Sequence, residues 1–247
     1  MDSISRAFEE IDHQTTPLGD ISLRRRLEPV LQVDIWEVKL GDEFLMSSLF
    51  TASEEAVATL GLGVCAGDDL DVVVGGLGLG YTAVTALGDG RVARLQVIEA
   101  LPQVIGWHRD GLVPLGTQLA DDGRCTLRHG DFFALVDATI ESDGVGDRRF
   151  DAILVDIDHT PSHHLNAANA SFYGPAGFGR VRDQLKPGGV FALWSDDPPD
   201  AEFETLMRGS FASVVGHVVS FPNHYSGGES ACTVYVALAP DHHERTA

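Results

Sequence analysis

Positive charge is scarce in this chain: Lys and Arg number 17 against 37 Asp and Glu in 247 residues, a formal net charge of −20. Nucleic-acid binding needs cationic side chains to neutralise phosphates, so this balance excludes a polyanion as the expected partner. It favours neutral or cationic small molecules, although acidity alone also serves solubility. Cysteine is sparse. Cys65, Cys125 and Cys232 lie far apart with no CxxC pair, so neither a disulfide framework nor a cysteine zinc site is expected, and a reducing cytoplasm is the plain inference. No run approaches ~18 consecutive apolar residues. The opening MDSISRAFEEIDHQ is acidic where an export signal needs a basic segment followed by an apolar one. A cytoplasmic protein with no membrane partner follows. No internal repeat or low-complexity tract is present. With 44% apolar residues the chain still has enough to bury a full core.

What is present changes rhythm near residue 53. Over 16–50 the pattern favours strands: ISLRRRLEP, VDIWEVKL, a turn at Gly41 and Asp42, and EFLMSSLF, so that WEVKL-GD-EFLMS predicts a β-hairpin. Arg24, Arg25 and Arg26 read as a solvated strand edge, with an anion grip as the alternative. SEEAVATLGLGV predicts a short helix with Ser53 as its N-cap and two glutamates in its first turn. Beyond Asp69 strands and helices alternate as βαβ units. Strands are predicted at 70–75, 95–99, 125–128, 150–156 and 190–194. Helices begin at Tyr81 and Pro102, and another carries GRVRDQLK as far as Pro187. After a helix at AEFETLMRGSF come strands at 213–221 and 231–238, separated by PNHYSGGES, which is too short for a helical crossover. They must therefore pair antiparallel.

Open parallel sheets bind ligands at the carboxyl ends of their strands. After the first strand stand Gly75, Gly76, Gly78 and Gly80; Glu99 ends the second, Asp131 follows the third, and Asp156 ends the fourth. No Lys follows the loop as GxxxxGK[ST] requires. From Gly76 the spacing is GxGxG, with Tyr81 where the third glycine of a dinucleotide fingerprint would pack helix to strand. A bare loop without a phosphate clamp suits a nucleoside that lacks phosphate, such as S-adenosylmethionine or its decarboxylated form. Glu99, about 20 residues on, is spaced to accept both ribose hydroxyls. Asp131 is then placed to accept from the adenine amino group. The alternative is a plain doubly wound domain whose glycines serve only the turn.

The order of elements resembles the class I methyltransferase-like (Rossmann-like) fold: α/β, a doubly wound, mostly parallel sheet with a C-terminal antiparallel strand pair, preceded by a small N-terminal β unit. Within that superfamily the chain resembles the spermidine synthase (polyamine aminopropyltransferase) family. The resemblance covers roughly residues 16–193 and rests on VVVGGLGLG, VIEALPQVI, HGDFF, FDAILVDIDHTP and SFYGPAGFGRVRDQLKPGGVFAL. It implies a β unit over 1–52 and a nucleoside-binding transferase domain over 53–240, and the polar tail DHHERTA over 241–247 is expected to fray. It also implies that Asp156 helps deprotonate the attacking amine and that Tyr173 stands near the substrate amine, with a core aromatic as the alternative for Tyr173. The family's DSSDP-like segment is here Asp156-Ile157-Asp158-His159-Thr160-Pro161, one residue longer before the proline, and FLMSSLFTASEEA replaces the family's tyrosine-histidine pair.

Asp158 and His159 are thus candidate substrate-binding residues. DIDHTPSHH invites a metal reading through Asp156, Asp158, His159, His163 and His164, but Pro161 opposes the helix that would align His159 with His163, and no metal is expected. Asp196 and Asp197 either add negative charge to a cation pocket or form a solvated turn. The expected activity is aminopropyl transfer from decarboxylated S-adenosylmethionine to a small cationic amine. The alternatives are S-adenosylmethionine-dependent methyl transfer to a small molecule and a catalytically silent nucleoside-binding protein. A homodimer joined through the N-terminal strands is allowed but not specified.

Overall fold

The computed structural model describes residues 8–138, 149–163 and 165–241; the expected frayed tail lies, apart from Asp241, outside them. An antiparallel meander opens the chain: β1 (Phe8–Thr16), β2 (Gly19–Glu28), β3 (Val33–Leu40) and β4 (Glu43–Ser47), in that spatial order. The predicted hairpin is β3–β4, with Leu40 opposite Glu43. β1 was not expected. Its sequence FEEIDHQTT has little strand propensity, and cross-strand charge pairs, Glu9 opposite Arg25 and Glu10 opposite Arg24, support it instead. β2 therefore lies between β1 and β3, which corrects the reading of its arginines as a strand edge. The Arg24 and Arg25 guanidiniums each lie 5.9 Å from a ring centroid, those of Phe8 and Trp36, while Arg26 Nε donates to Glu37 Oε1 at 2.8 Å.

Helix α1 (Ala52–Gly63) follows, with Thr51 rather than Ser53 at the N-cap position. Ser53 is one residue inside the helix and donates to Glu54 Oε2 at 2.6 Å. The larger sheet comprises β5 (Leu70–Gly75), β6 (Val92–Glu99), β7 (Cys125–His129), β8 (Phe150–Val155), β9 (Leu185–Ser195), β10 (Ser213–Asn223) and β11 (Gly228–Leu238), in the order β10-β11-β9-β8-β5-β6-β7. β5 through β9 run parallel, and the closing pair is antiparallel as its short connection requires. All six residues of β5 are buried, as expected for a strand covered on both faces.

Helices α2 (Tyr81–Gly88), α3 (Pro102–Arg109), α4 (Gly116–Ala120), α5 (Phe132–Ala138), α6 (Pro175–Gln184) and α7 (Ala201–Arg208) complete the layers, with a 3-10 turn over Ala167–Ser171. α6 stops at Gln184, earlier than expected. Leu185 already pairs with Phe150, and the register jump to Val190 opposite Ala152 absorbs Pro187 and the positive-φ Gly188 as a bulge. One core face joins Ile21, Leu23 and Val38 of the meander to Val57 and Leu62 of α1 and Val72 of β5, so the small sheet packs on the large one's core. The other face is aromatic: Phe178, fully buried, meets the rings of Phe172, Phe191, Phe203 and Phe211. Phe178→Ala should cost about 3–5 kcal/mol, read from denaturant unfolding.

Candidate active site

Sheet order reverses between β5 and β8, and the site is built there. The two strand tips are joined by a hydrogen bond from Asp156 N to Gly75 O at 3.0 Å. Gly76 turns away with φ +93°, and a Cβ on it would lie 2.2 Å from the Asp156 carbonyl oxygen. Gly80 also has positive φ, and its missing side chain makes room for Leu119 and His108. His108 is wholly buried; its Nε2 lies 2.9 Å from Gly78 O, and its Nδ1 has no partner. Burial lowers its pKa, so a neutral ring donates from Nε2 and props the turn from beneath. Sequence reasoning did not single out this histidine, which carries no motif.

Above the turn lies a cavity of about 430 Å³. Phe44, Leu45 and Met46 of β4, with Phe50, form an apolar roof, and Gly76, Gly78 and Gly80 line the floor. Glu54 of α1, Tyr81 and Thr82 of α2, Asp156 and His159 after β8, and Trp194 and Asp196 at the end of β9 complete the wall. Among the described residues that line it there is no lysine or arginine. Glu54 is a site residue that sequence reasoning missed, because its place in a helix's first turn already explained its charge. The signal was the position of that helix, between the hairpin and the glycine strand.

Other candidate residues sit elsewhere. Glu99 accepts from Leu77 N at Oε2 (3.0 Å) and from Leu101 N at Oε1 (2.8 Å), so it braces the glycine turn from β6. Burial raises its pKa against those backbone donors. Asp131 is exposed and caps α5, accepting from Phe133 N at 2.9 Å and Ala134 N at 3.3 Å. The space a Gly75 side chain would take is filled by the Phe132 ring. Asp158 and Tyr173 are brought together, but not at the cavity. The Tyr173 hydroxyl donates to Asp158 Oδ2 at 3.0 Å, and the same carboxylate accepts from Leu165 N and the Asn169 amide. Burial and the Asp158 charge hold the Tyr173 phenol well above its ordinary range. His163 stacks near His159 with ring centroids 5.1 Å apart, and His164 lies outside the described residues. Among the described residues no group of three or more His, Cys, Asp or Glu is arranged to hold a metal ion, and no helix is long and apolar enough to cross a membrane.

Glu54 and Asp156 set the cavity's electrostatics. Burial and then the Asp156 charge push Glu54 up to about 7, opposed by the Ser53 hydroxyl. Burial pushes Asp156 up to about 6, opposed by Thr82, whose hydroxyl lies 3.1 Å from Asp156 Oδ2. Both values are raised, so the folded chain binds protons more tightly than the unfolded one. The stability this contributes is complete below the ordinary carboxylate values and is lost as pH rises through about 6 to 7. Glu54→Gln should therefore raise the thermal midpoint at pH ~8, by ~2–4 °C for each kcal/mol regained, and leave it unchanged at pH ~4. Thermal melts at the two pH values check this.

The fold is that of the class I methyltransferase-like proteins. More narrowly, it is spermidine synthase-like. The crystal structure of spermidine synthase from Thermotoga maritima superposes with a TM-score of 0.71 at 18% identity, covering 93% of this chain and 72% of that one. A crystal structure of spermidine synthase in complex with the transition-state analogue AdoDATO gives 0.72 at 17% identity, covering 93% and 73%. No family model matches the chain.

Proposed function

We propose that this protein transfers an aminopropyl group from decarboxylated S-adenosylmethionine to a small amine. One observation carries the reading: Glu54, Asp156 and Asp196 face a cavity beside the glycine turn, and no lysine or arginine is among its described lining residues. Intact S-adenosylmethionine would bring a carboxylate among three acids with no cation to meet it. The decarboxylated form brings a sulfonium and an ammonium instead, and the fold-mate holding AdoDATO supports a donor of that kind.

Glu99, at the end of β6 and held in place by its backbone bonds, is the residue that accepts from the ribose hydroxyls. Asp131, with Oδ1 committed to α5, offers its other oxygen to the adenine amino group. The glycines let the nucleoside approach the backbone closely. Asp158 and Tyr173 act from behind, fixing the segment that presents His159 to the cavity.

Asp156 is the base. An alkylammonium, with a pKa near ~10, has no lone pair to attack with at neutral pH. The Asp156 carboxylate orients the ammonium and takes its proton as the nitrogen attacks the carbon beside sulfur. The new N–C bond forms, the C–S bond breaks, and its electron pair returns to sulfur as a neutral thioether. A carboxylate pushed up to about 6 by burial is a stronger base than an ordinary one.

Calorimetric titration with both sulfonium compounds tests the donor: tighter binding of the decarboxylated form is expected, and preference for the carboxylated form would favour methyl transfer instead. Asp156→Asn should keep binding of the neutral methylthioadenosine and lower turnover at least ~100-fold in a mass-spectrometric assay of amine products. Unchanged turnover would remove Asp156 from the role of base.

A further inference from the structure

We infer that Glu54 and Asp156 together form one proton-sharing receptor for a cationic group of the ligand, giving up a proton when the cation enters. This rests on the reading that the cavity takes a nucleoside sulfonium, and it adds Glu54 as a specificity-determining residue. The geometry converges from three elements. Glu54 stands in the first turn of α1, Asp156 follows β8, and Thr82 opens α2 between them. The Thr82 hydroxyl lies 3.1 Å from the Glu54 carbonyl oxygen and 3.1 Å from Asp156 Oδ2. It has one proton to donate, so it serves one of these acceptors at a time and neutralises neither acid.

Among the described residues, the groups around the pair leave it without a fixed counter-charge. On α1 these are Ser53, which donates to Glu54, and the exposed Glu55. From α2 come Tyr81 and Thr82, from the segment after β8 His159, from the end of β9 Asp196, and from β11 Cys232. The roof contributes only Phe44, Leu45, Met46, Ser47 and Phe50. Two carboxylates in such a pocket do not both ionise near neutrality, and they titrate as a pair. With the cavity empty, a proton held by the pair supplies the missing positive charge. An ammonium or sulfonium replaces it: the protonated pair and the cation become the doubly ionised pair holding the cation, plus one free proton.

The same exchange connects to the transfer step. The proton that leaves the attacking nitrogen passes to Asp156 and restores the shared proton as sulfur loses its charge. The spent nucleoside is then a neutral thioether facing a re-protonated pair, with nothing left to hold it by charge. Binding is thereby tied to the donor's charge and release to its loss.

The test is calorimetry on the full chain at a pH between the two raised values, in two buffers of different ionisation heat. The probes are decarboxylated S-adenosylmethionine and the neutral methylthioadenosine. The cation should release about one proton and bind about tenfold tighter two pH units higher, while the thioether releases none. Glu54→Gln should abolish the release and weaken the cation at least ~10-fold, with thioether affinity held within ~3-fold as proof of an intact fold. Glu55→Gln, on the exposed face, should behave as the unaltered chain. If both compounds bind without proton release, or if release persists in Glu54→Gln, the paired receptor is wrong while the nucleoside reading stands. If neither binds, the nucleoside reading fails and the receptor with it.

Discussion

The site depends on one backbone contact, that between Gly76 and Asp156. The tips of β5 and β8 lie side by side at the point where strand order reverses, and the Asp156 N–H is bonded to the Gly75 carbonyl. A side chain at Gly76 would occupy the Asp156 carbonyl oxygen. The glycine therefore serves the protein as well as a ligand: it lets the fourth strand's tip close on the turn, and this places the carboxylate at the cavity. Thr82 then binds the same carboxylate from α2, and α1 brings Glu54 in from the other side. Helix, turn and acid are fixed by one short-range constraint.

Support for the turn comes from side chains outside the cavity's lining. Glu99 holds Leu77 and Leu101 by their N–H groups, and His108 holds Gly78 by its carbonyl. His108 is wholly buried and Glu99 half-buried, so these bonds form where an unmet polar group is costly, and the turn has little freedom to relax. Asp158 does the same for the segment after β8, meeting Tyr173, Asn169 and Leu165. A preorganised floor suits a reaction in which much of the rate comes from holding two reactants in line.

The parallel core was readable in the sequence because its strands are apolar runs punctuated by glycine and proline. LDVVVG is β5 to the residue, and Pro102 opens α3. The closing antiparallel pair followed from loop length alone. β1 was missed because its stability lies in pairing with β2 and not in its own composition. α6 was drawn too long because Leu185 and Lys186 fit a helix by propensity, whereas pairing with Phe150 makes them strand. At the site, the acids at strand ends were visible, but which face each side chain takes was not. Asp131 and Asp158 follow strands as Asp156 does, but Asp131 turns back to cap the helix that begins beside it and Asp158 enters a buried network with Tyr173.

Glu54 shows why local sequence logic stops short of the site. An acid in the first turn of a helix is already accounted for by the macrodipole, so nothing in SEEAV marks it out. What gives it a role is the hairpin. Phe44, Leu45 and Met46 line the same cavity as the glycine turn, Glu54 and Asp156. Burial raises both acids above their ordinary values, and there the Asp156 charge is felt by Glu54 at low effective dielectric. The N-terminal sheet thus reaches the site through Phe44, Leu45, Met46 and Ser47, none of them charged, and leaves the acids' demand for a positive charge to the ligand.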